Sequence, residues 1–129
     1  MKWRLILLLS LFGGVSGALS VFGFNKTAGW ILLILFAVFC SLILARKTVS
    51  RKFLHGFLSG FIASILNSLV VIIFYSDYLK YNTSGSGLES AGFQIKNFMI
   101  IMIPLAALLW GVVLGSLTLL FNMFRKVEQ

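Results

Sequence analysis

Every Asp, Glu, Lys and Arg of this 129-residue chain lies between or beyond four long apolar runs, and none lies inside one. A charge at the centre of a bilayer is costly, and a helix needs about twenty mostly apolar residues to cross the hydrocarbon. The pattern predicts an all-α, polytopic membrane protein in one domain, 1–129, with spans over 5–24, 28–45, 53–76 and 97–124 packed as an antiparallel four-helix bundle. At 60% hydrophobic and 11% charged residues the composition is far from that of a soluble globular domain. The same exclusion of charge removes the intramembrane acids, bases and ion pairs that mark proton relays and coupled transport paths.

The second run is short, and Trp30 near its start suits one headgroup edge. The last is long, so it should tilt, bend at Pro104, or begin outside the hydrocarbon. The first run has a second reading. Lys2 and Arg4, an apolar stretch to Phe12, then Gly13, Gly14, Ser16, Gly17 and Ala18 follow the order of a secretory signal peptide. Apolar sequence continues through Val21, Phe22 and Phe24, which suits a retained helix better; cleavage after Gly17 or Ala18 would leave three spans.

The basic residues set an orientation. With four spans, one side carries Lys2, Arg4, Arg46, Lys47, Arg51, Lys52, Arg125 and Lys126, and the other only Lys26, Lys80 and Lys96. The bias of Lys and Arg towards the cytoplasm places this multi-pass chain in the cell membrane, in bacterial terms the inner membrane, with both termini inside. Topology then accounts for the net charge of +8, with attraction to anionic lipid headgroups a secondary effect, and no nucleic-acid partner is implied. The partner expected throughout is the lipid bilayer, joined by a homo-oligomer or another membrane protein.

Two tight connections, 25–27 and 46–52, make the first and second helices, and the second and third, expected antiparallel neighbours. The third loop, 77–96, is the sizeable outer segment, with a Gly/Ser-rich centre like a flexible linker. Before it, Tyr75, Tyr78 and Tyr81 recur every three residues as an interfacial aromatic belt. Asn25-Lys26-Thr27 and Asn82-Thr83-Ser84 match the glycosylation acceptor pattern, which is common by chance.

Small residues carry the strongest internal pattern. Gly56, Gly60, Ser64 and Ser68 recur every four residues in the third span, beside Ser59, Ala63 and Asn67; Ala107, Gly111 and Gly115 do so in the fourth, and Gly13 with Gly17 in the first. Such arrays let helix backbones approach where lipid supplies no hydrophobic drive for association. At 1.5 Å rise per residue, Ser64 and Gly111 lie roughly 17 and 20 Å above the inner ends of their spans. The third and fourth spans are therefore expected to cross with Gly60 near Gly115 and Ser68 near Ala107. A homodimer could use the same stripe. Phe53, Phe57 and Phe61 should fill space beside the thin glycine backbone or face lipid.

Asn67 is the most informative polar side chain, an amide within the hydrocarbon span. Its amide should seek hydrogen bonds, as a clamp between helices or as a lining group of a permeation route. Trp110, near mid-membrane, reads as a bundle-facing contact whose indole N–H wants a partner. An enzymatic reading finds little. His55 and Asp77 stand at opposite ends of one helix, about 33 Å apart. Cys40 has no disulfide partner, and Cys40 with His55 would not close a metal site. Met99, Met102 and Met123 suit packing better than copper ligation. No catalytic residue, cofactor or metal ligand is expected.

Two families of small four-helix membrane proteins invite comparison. Small multidrug exporters rely on a carboxylate in the first helix, which this chain lacks. Gly13-Gly14-Val15-Ser16-Gly17-Ala18 and Gly56-Phe57-Leu58-Ser59-Gly60-Phe61 resemble the first- and third-helix motifs of fluoride channels. Ser20 or Val21 stands where that family carries arginine, and Ile62-Ala63-Ser64-Ile65 replaces its polar run, so no ion-binding residue carries over. Over most of its length the chain is similar to uncharacterised bacterial four-helix integral membrane proteins: a glycine-bearing first helix, a short second, Arg/Lys before a Gly-Phe third, and a last helix from Pro104 to Gly115. That resemblance implies no activity. The function expected is a noncatalytic accessory or scaffold subunit acting through helix contacts; the alternative is a passive channel or uncoupled small transporter lined by Asn67 and the serines.

Overall fold

A computed structural model describes residues 2–23, 26–82 and 92–127; the side chains of residues 26, 79, 81, 82, 92–96, 126 and 127 lie outside that description. The described chain is all-α: α1 (Trp3–Val21), α2 (Lys26–Lys47), α3 (Lys52–Ile73), α4 (Tyr75–Asn82) and α5 (Gly92–Val127). Four stretches are long and apolar enough to cross a membrane, namely Trp3–Val21, Thr27–Lys47, Lys52–Ile73 and Asn97–Arg125.

Local chemistry sets the ends of these helices. After α1 the chain turns at Gly23, whose φ of 69° lies in the left-handed region open to glycine. The Phe22 and Gly23 amides donate back to the Ala18 and Ser20 carbonyls. At the end of α2 the Thr48 hydroxyl donates to the Leu44 carbonyl, and Arg51 turns the chain into α3 with a left-handed φ of 51°. The Phe74 amide donates to Val70 O, and Tyr78 N–H bonds Phe74 O at 2.9 Å, so the chain bends at Phe74 and resumes as α4.

Helical structure therefore extends into the segment read as outer loop, over 77–82 and again over 92–96. The Gly/Ser-rich centre at 83–91 lies outside the described residues, as do Asn25, Thr83 and Ser84 of the two acceptor patterns. The long last run lies within α5, one helix of 36 residues that starts before the apolar stretch and runs through Pro104.

The arrangement of the helices follows from the small residues. On α3, Gly56 and Gly60 face Gly115 and Gly111 of α5: a carbon added at Gly56 would lie 2.9 Å from Gly115 Cα, and one at Gly60 would lie 3.1 Å from Gly111 Cα. Each step of four forward on α3 is matched by four back on α5, which defines an antiparallel pair. On the other side, a carbon at Gly13 would lie 2.0 Å from Ala63 O, and one at Gly17 would lie 2.9 Å from Asn67 O. Here both numbers rise together, so α1 and α3 run parallel. Helix α3 is thus the centre of the fold, held between α1 and α5. Its two contact faces follow from 3.6 residues per turn, which rotates the Ser59, Ala63 and Asn67 row about 100° from the Gly56 and Gly60 row.

Helix α2 completes the bundle differently. It lies against α5 and touches α1 and α3 only lightly. Its Ala37, Cys40 and Leu44 join Leu9 of α1 and Leu114 of α5 in a buried apolar cluster, and Phe36 meets Phe12 with ring centroids 4.7 Å apart. Consecutive helices joined by the tight connections do touch, α1 with α2 and α2 with α3, but the most extensive contacts are α3 with α5 and α1 with α3. A short loop fixes where a helix starts, whereas close approach requires small side chains on both partners. Helix α2 buries a row of its own, Ala37, Ser41 and Ala45, yet packs chiefly on α5, while the glycines of α1 meet α3.

Candidate functional site

The site grows out of the α1–α3–α5 contact. Gly56, Gly60, Gly111 and Gly115 form the α3–α5 seam, where the Phe57 and Phe53 rings of α3 lie over Gly111 and Gly115, 3.0 and 2.8 Å from carbons added there. Phe53, Phe57 and Phe61 stack along α3 with centroid separations of 6.1 and 5.9 Å, filling the space beside the glycines. The seam is one helical turn out of the expected register: Gly60 meets Gly111, not Gly115, and the same stepping brings Ala107 opposite Ser64, not Ser68. Depth counted from span ends sets the inner ends of α3 and α5 level, whereas the pairing of Gly60 with Gly111 places the end of α5 beyond the start of α3. Ser64 and Ala107 are buried, whereas Ser68 is only half-buried and lines a cavity together with Met99 and Ile103 of α5.

Gly13 and Gly17 of α1 cover Ala63 and Asn67. The Asn67 Oδ1 would lie 2.9 Å from a carbon at Gly17, so its carboxamide rests on the glycine backbone. It makes no hydrogen bond with any described residue, and neither does the Trp110 indole N–H.

Two cavities meet at that amide. The inner one, ≈ 20 Å³, sits at the middle of the bundle among Gly13, Ser16, Phe36, Ala63, Asn67 and Trp110. It has room for about one water. The outer one, ≈ 220 Å³ and partly open, is lined by Ser20, Asn67, Ser68 and Tyr78 together with Val71, Ile72, Met99 and Ile103. Asn67 is the residue common to both. Tyr78, assigned from the sequence to an aromatic belt, thus lines the outer cavity, because the chain bends at Phe74 and α4 lies against α1. Tyr75 is half-buried, and the Tyr81 side chain lies outside the described residues.

Below the inner cavity the bundle closes. Leu9, Ala37, Cys40, Leu44 and Leu114 form a buried apolar cluster, with Ser10, Ser41 and Ser59 buried nearby, and α3 is in backbone contact with α1 above and α5 below. Beneath that plug the basic end is knit by hydrogen bonds. The Lys2 Nζ donates to Lys47 O at 2.6 Å, and the Lys52 Nζ donates to Ala45 O at 3.4 Å and to Asn122 Oδ1. These ammonium groups satisfy the last carbonyls of α2, which have no partner within the helix. His55, buried beside them, accepts the Lys2 backbone N–H at Nε2, 3.3 Å away, and its Nδ1 is 2.9 Å from Arg51 O. A neutral ring protonated on Nδ1 satisfies both contacts. At the other end Lys80 pairs with Asp77 at 3.3 Å on the exposed face of α4.

Among the described residues no three His, Cys, Asp or Glu side chains gather in a metal-sized group. Ser41 Oγ is buried without a hydrogen-bond partner there. The α1–α3 seam and the lysine caps were not read from the sequence. The first had a signal in the second small-residue row of α3; the second had none, since a flanking lysine looks the same whether it caps a helix or faces solvent. A comparison with protein-family models finds no match, and no curated protein or solved structure matches the chain.

Proposed function

We propose that this chain is a small noncatalytic integral membrane protein, acting through helix–helix contacts as an accessory or scaffold subunit. The observation that carries this reading is the closed interior: backbone contact along α1–α3–α5, with the apolar plug of Leu9, Cys40, Leu44 and Leu114 between the inner cavity and the basic end. An interior so filled leaves the outward faces for action. Trp30, Ile31, Ile34, Leu35 and Phe39 of α2 are exposed and apolar, as are Leu105, Leu108, Leu109 and Val112 of α5. Such faces suit lipid and a second membrane protein alike. The α3 glycines are already covered within one copy, so a homo-oligomer would use these outward faces instead.

The residence we propose is the cell membrane, with the basic end and both termini cytoplasmic, on the bias of eight cations against three. A passive channel or uncoupled transporter is the second reading, favoured by the position of Asn67 between two cavities. Flux assays on purified chain in liposomes separate the two. The scaffold reading expects leakage no greater than in protein-free vesicles. Robust flux abolished by Asn67→Leu would defeat it. Gentle purification followed by mass analysis should then retain a stoichiometric membrane-protein partner.

A further inference from the structure

We propose that the outer cavity is a blind, water-filled binding vestibule for a small uncharged hydroxyl-bearing molecule, with Asn67 as the recognising group at its floor. The inference holds under either reading of the overall function, because it concerns access from one face only.

Depth is the first argument. Asn67 lies fifteen residues past Lys52 and six before Ile73, about 22 Å and 9 Å along α3 from its two ends. At that level a carboxamide is strongly penalised unless its donors and acceptor are matched. Its amide and the adjacent Ser68 hydroxyl have no partner among the described residues, while both line a cavity of ≈ 220 Å³. Water or a hydrogen-bonding ligand in that space supplies what the protein does not.

The lining selects the class of molecule. Asn67 and Ser68 offer both donors and acceptors, Ser20 and Tyr78 add polar character to the lining, and Val71, Ile72, Met99 and Ile103 supply apolar wall. Among the described residues no charged side chain lines the cavity. An ion entering would lose hydration without gaining a counter-charge, whereas a neutral polyol exchanges water for equivalent partners. The floor makes the site blind: beyond Asn67 there is space for about one water, then the Leu9 and Leu114 plug. A cavity with such an end suits holding a molecule.

The test uses the whole chain in liposomes with Cys40→Ser as background and single cysteines at Ser68→Cys, the conservative change, and Asn67→Cys. Lys80→Cys marks the vestibule end and Val49→Cys the basic end. Membrane-impermeant thiosulfonates carrying a trimethylammonium, a sulfonate or a neutral hydroxyl group are compared. Both vestibule cysteines should react only from the face that labels Lys80→Cys. The neutral reagent should be faster than the charged ones by about tenfold, relative to the ratio at Lys80→Cys. Molar glycerol, the smallest hydroxylic probe, should slow labelling at Ser68→Cys and leave Lys80→Cys unchanged. Three results would overturn the proposal: no reaction at Ser68→Cys, equal rates for charged and neutral reagents, or reaction from the Val49→Cys face. Labelling unaffected by glycerol would overturn the binding role and leave water as the occupant.

Discussion

A carbon added at Gly13 would meet the Ala63 carbonyl oxygen at 2.0 Å, whereas one added to Gly14, the next residue, meets nothing within 4 Å. Two glycines alike in sequence therefore differ in consequence. Gly13→Ala must push α1 off α3, at a cost of about 1–3 kcal/mol, in the range of overpacked cores. Gly14→Ala should stay within about 0.5 kcal/mol of the parent. Unfolding midpoints in detergent read both, and equal midpoints would refute the α1–α3 seam. At the basic end, Lys52→Met removes the ammonium from Ala45 O and Asn122 Oδ1, and should cost about 1.5–3 kcal/mol as a charge-assisted bond. Asn122→Leu tests the same pair, and the double variant should lose less than the two single losses combined. Strict additivity would show that the contact carries no energy.

Between elements, register is the quantity at stake. The step of four that pairs Gly56 with Gly115 and Gly60 with Gly111 puts Ser64 opposite Ala107. In a Cys40→Ser background, Ser64→Cys with Ala107→Cys should cross-link on mild oxidation, while Ser68→Cys with Ala107→Cys should not. The reverse outcome would restore the register deduced from depth alone. Contact between α3 and α5 was legible because both carry small residues every four positions. Their register was not, because counting from span ends assumes that the two helices end level, and that offset is not written in either stretch. Nor was the partnership of α1 with α3, since loop length speaks to chain connection and not to which surfaces fit. The row Ser59, Ala63 and Asn67 was visible beside the first row, and its meaning as a second contact face emerged only with Gly13 and Gly17 laid against it.

For the whole molecule, charge and closure make separate demands. The basic end holds Lys2, Arg4, Arg46, Lys47, Arg51, Lys52 and Arg125, and Val49 in its turn is 94% exposed. In intact cells an impermeant thiol reagent should label Lys80→Cys and leave Val49→Cys untouched until the membrane is opened. Moving the basic residues of the 46–52 turn to the 25–27 turn should weaken that sidedness. If Val49→Cys labels first, the proposed orientation is inverted. Retention of α1 would leave a mass signature. Its Ile6, Leu9, Ser10, Gly13, Gly17 and Val21 are buried in the bundle, so the intact protein isolated from membranes should keep its first helix.

The sequence by itself determined how many helices are long and apolar enough to span a bilayer, because exclusion of charge from hydrocarbon is written residue by residue and needs no partner. It also marked the surfaces that can approach closely, since a missing side chain is visible wherever it stands. Which of those surfaces meet was decided only in three dimensions. Three helices compete for the two small-residue faces of α3, and the choice of α1 and α5 depends on shape matched over several turns at once. The space around Asn67 belongs to that level too. A cavity is what several helices leave unfilled together, and no single stretch of sequence encodes it.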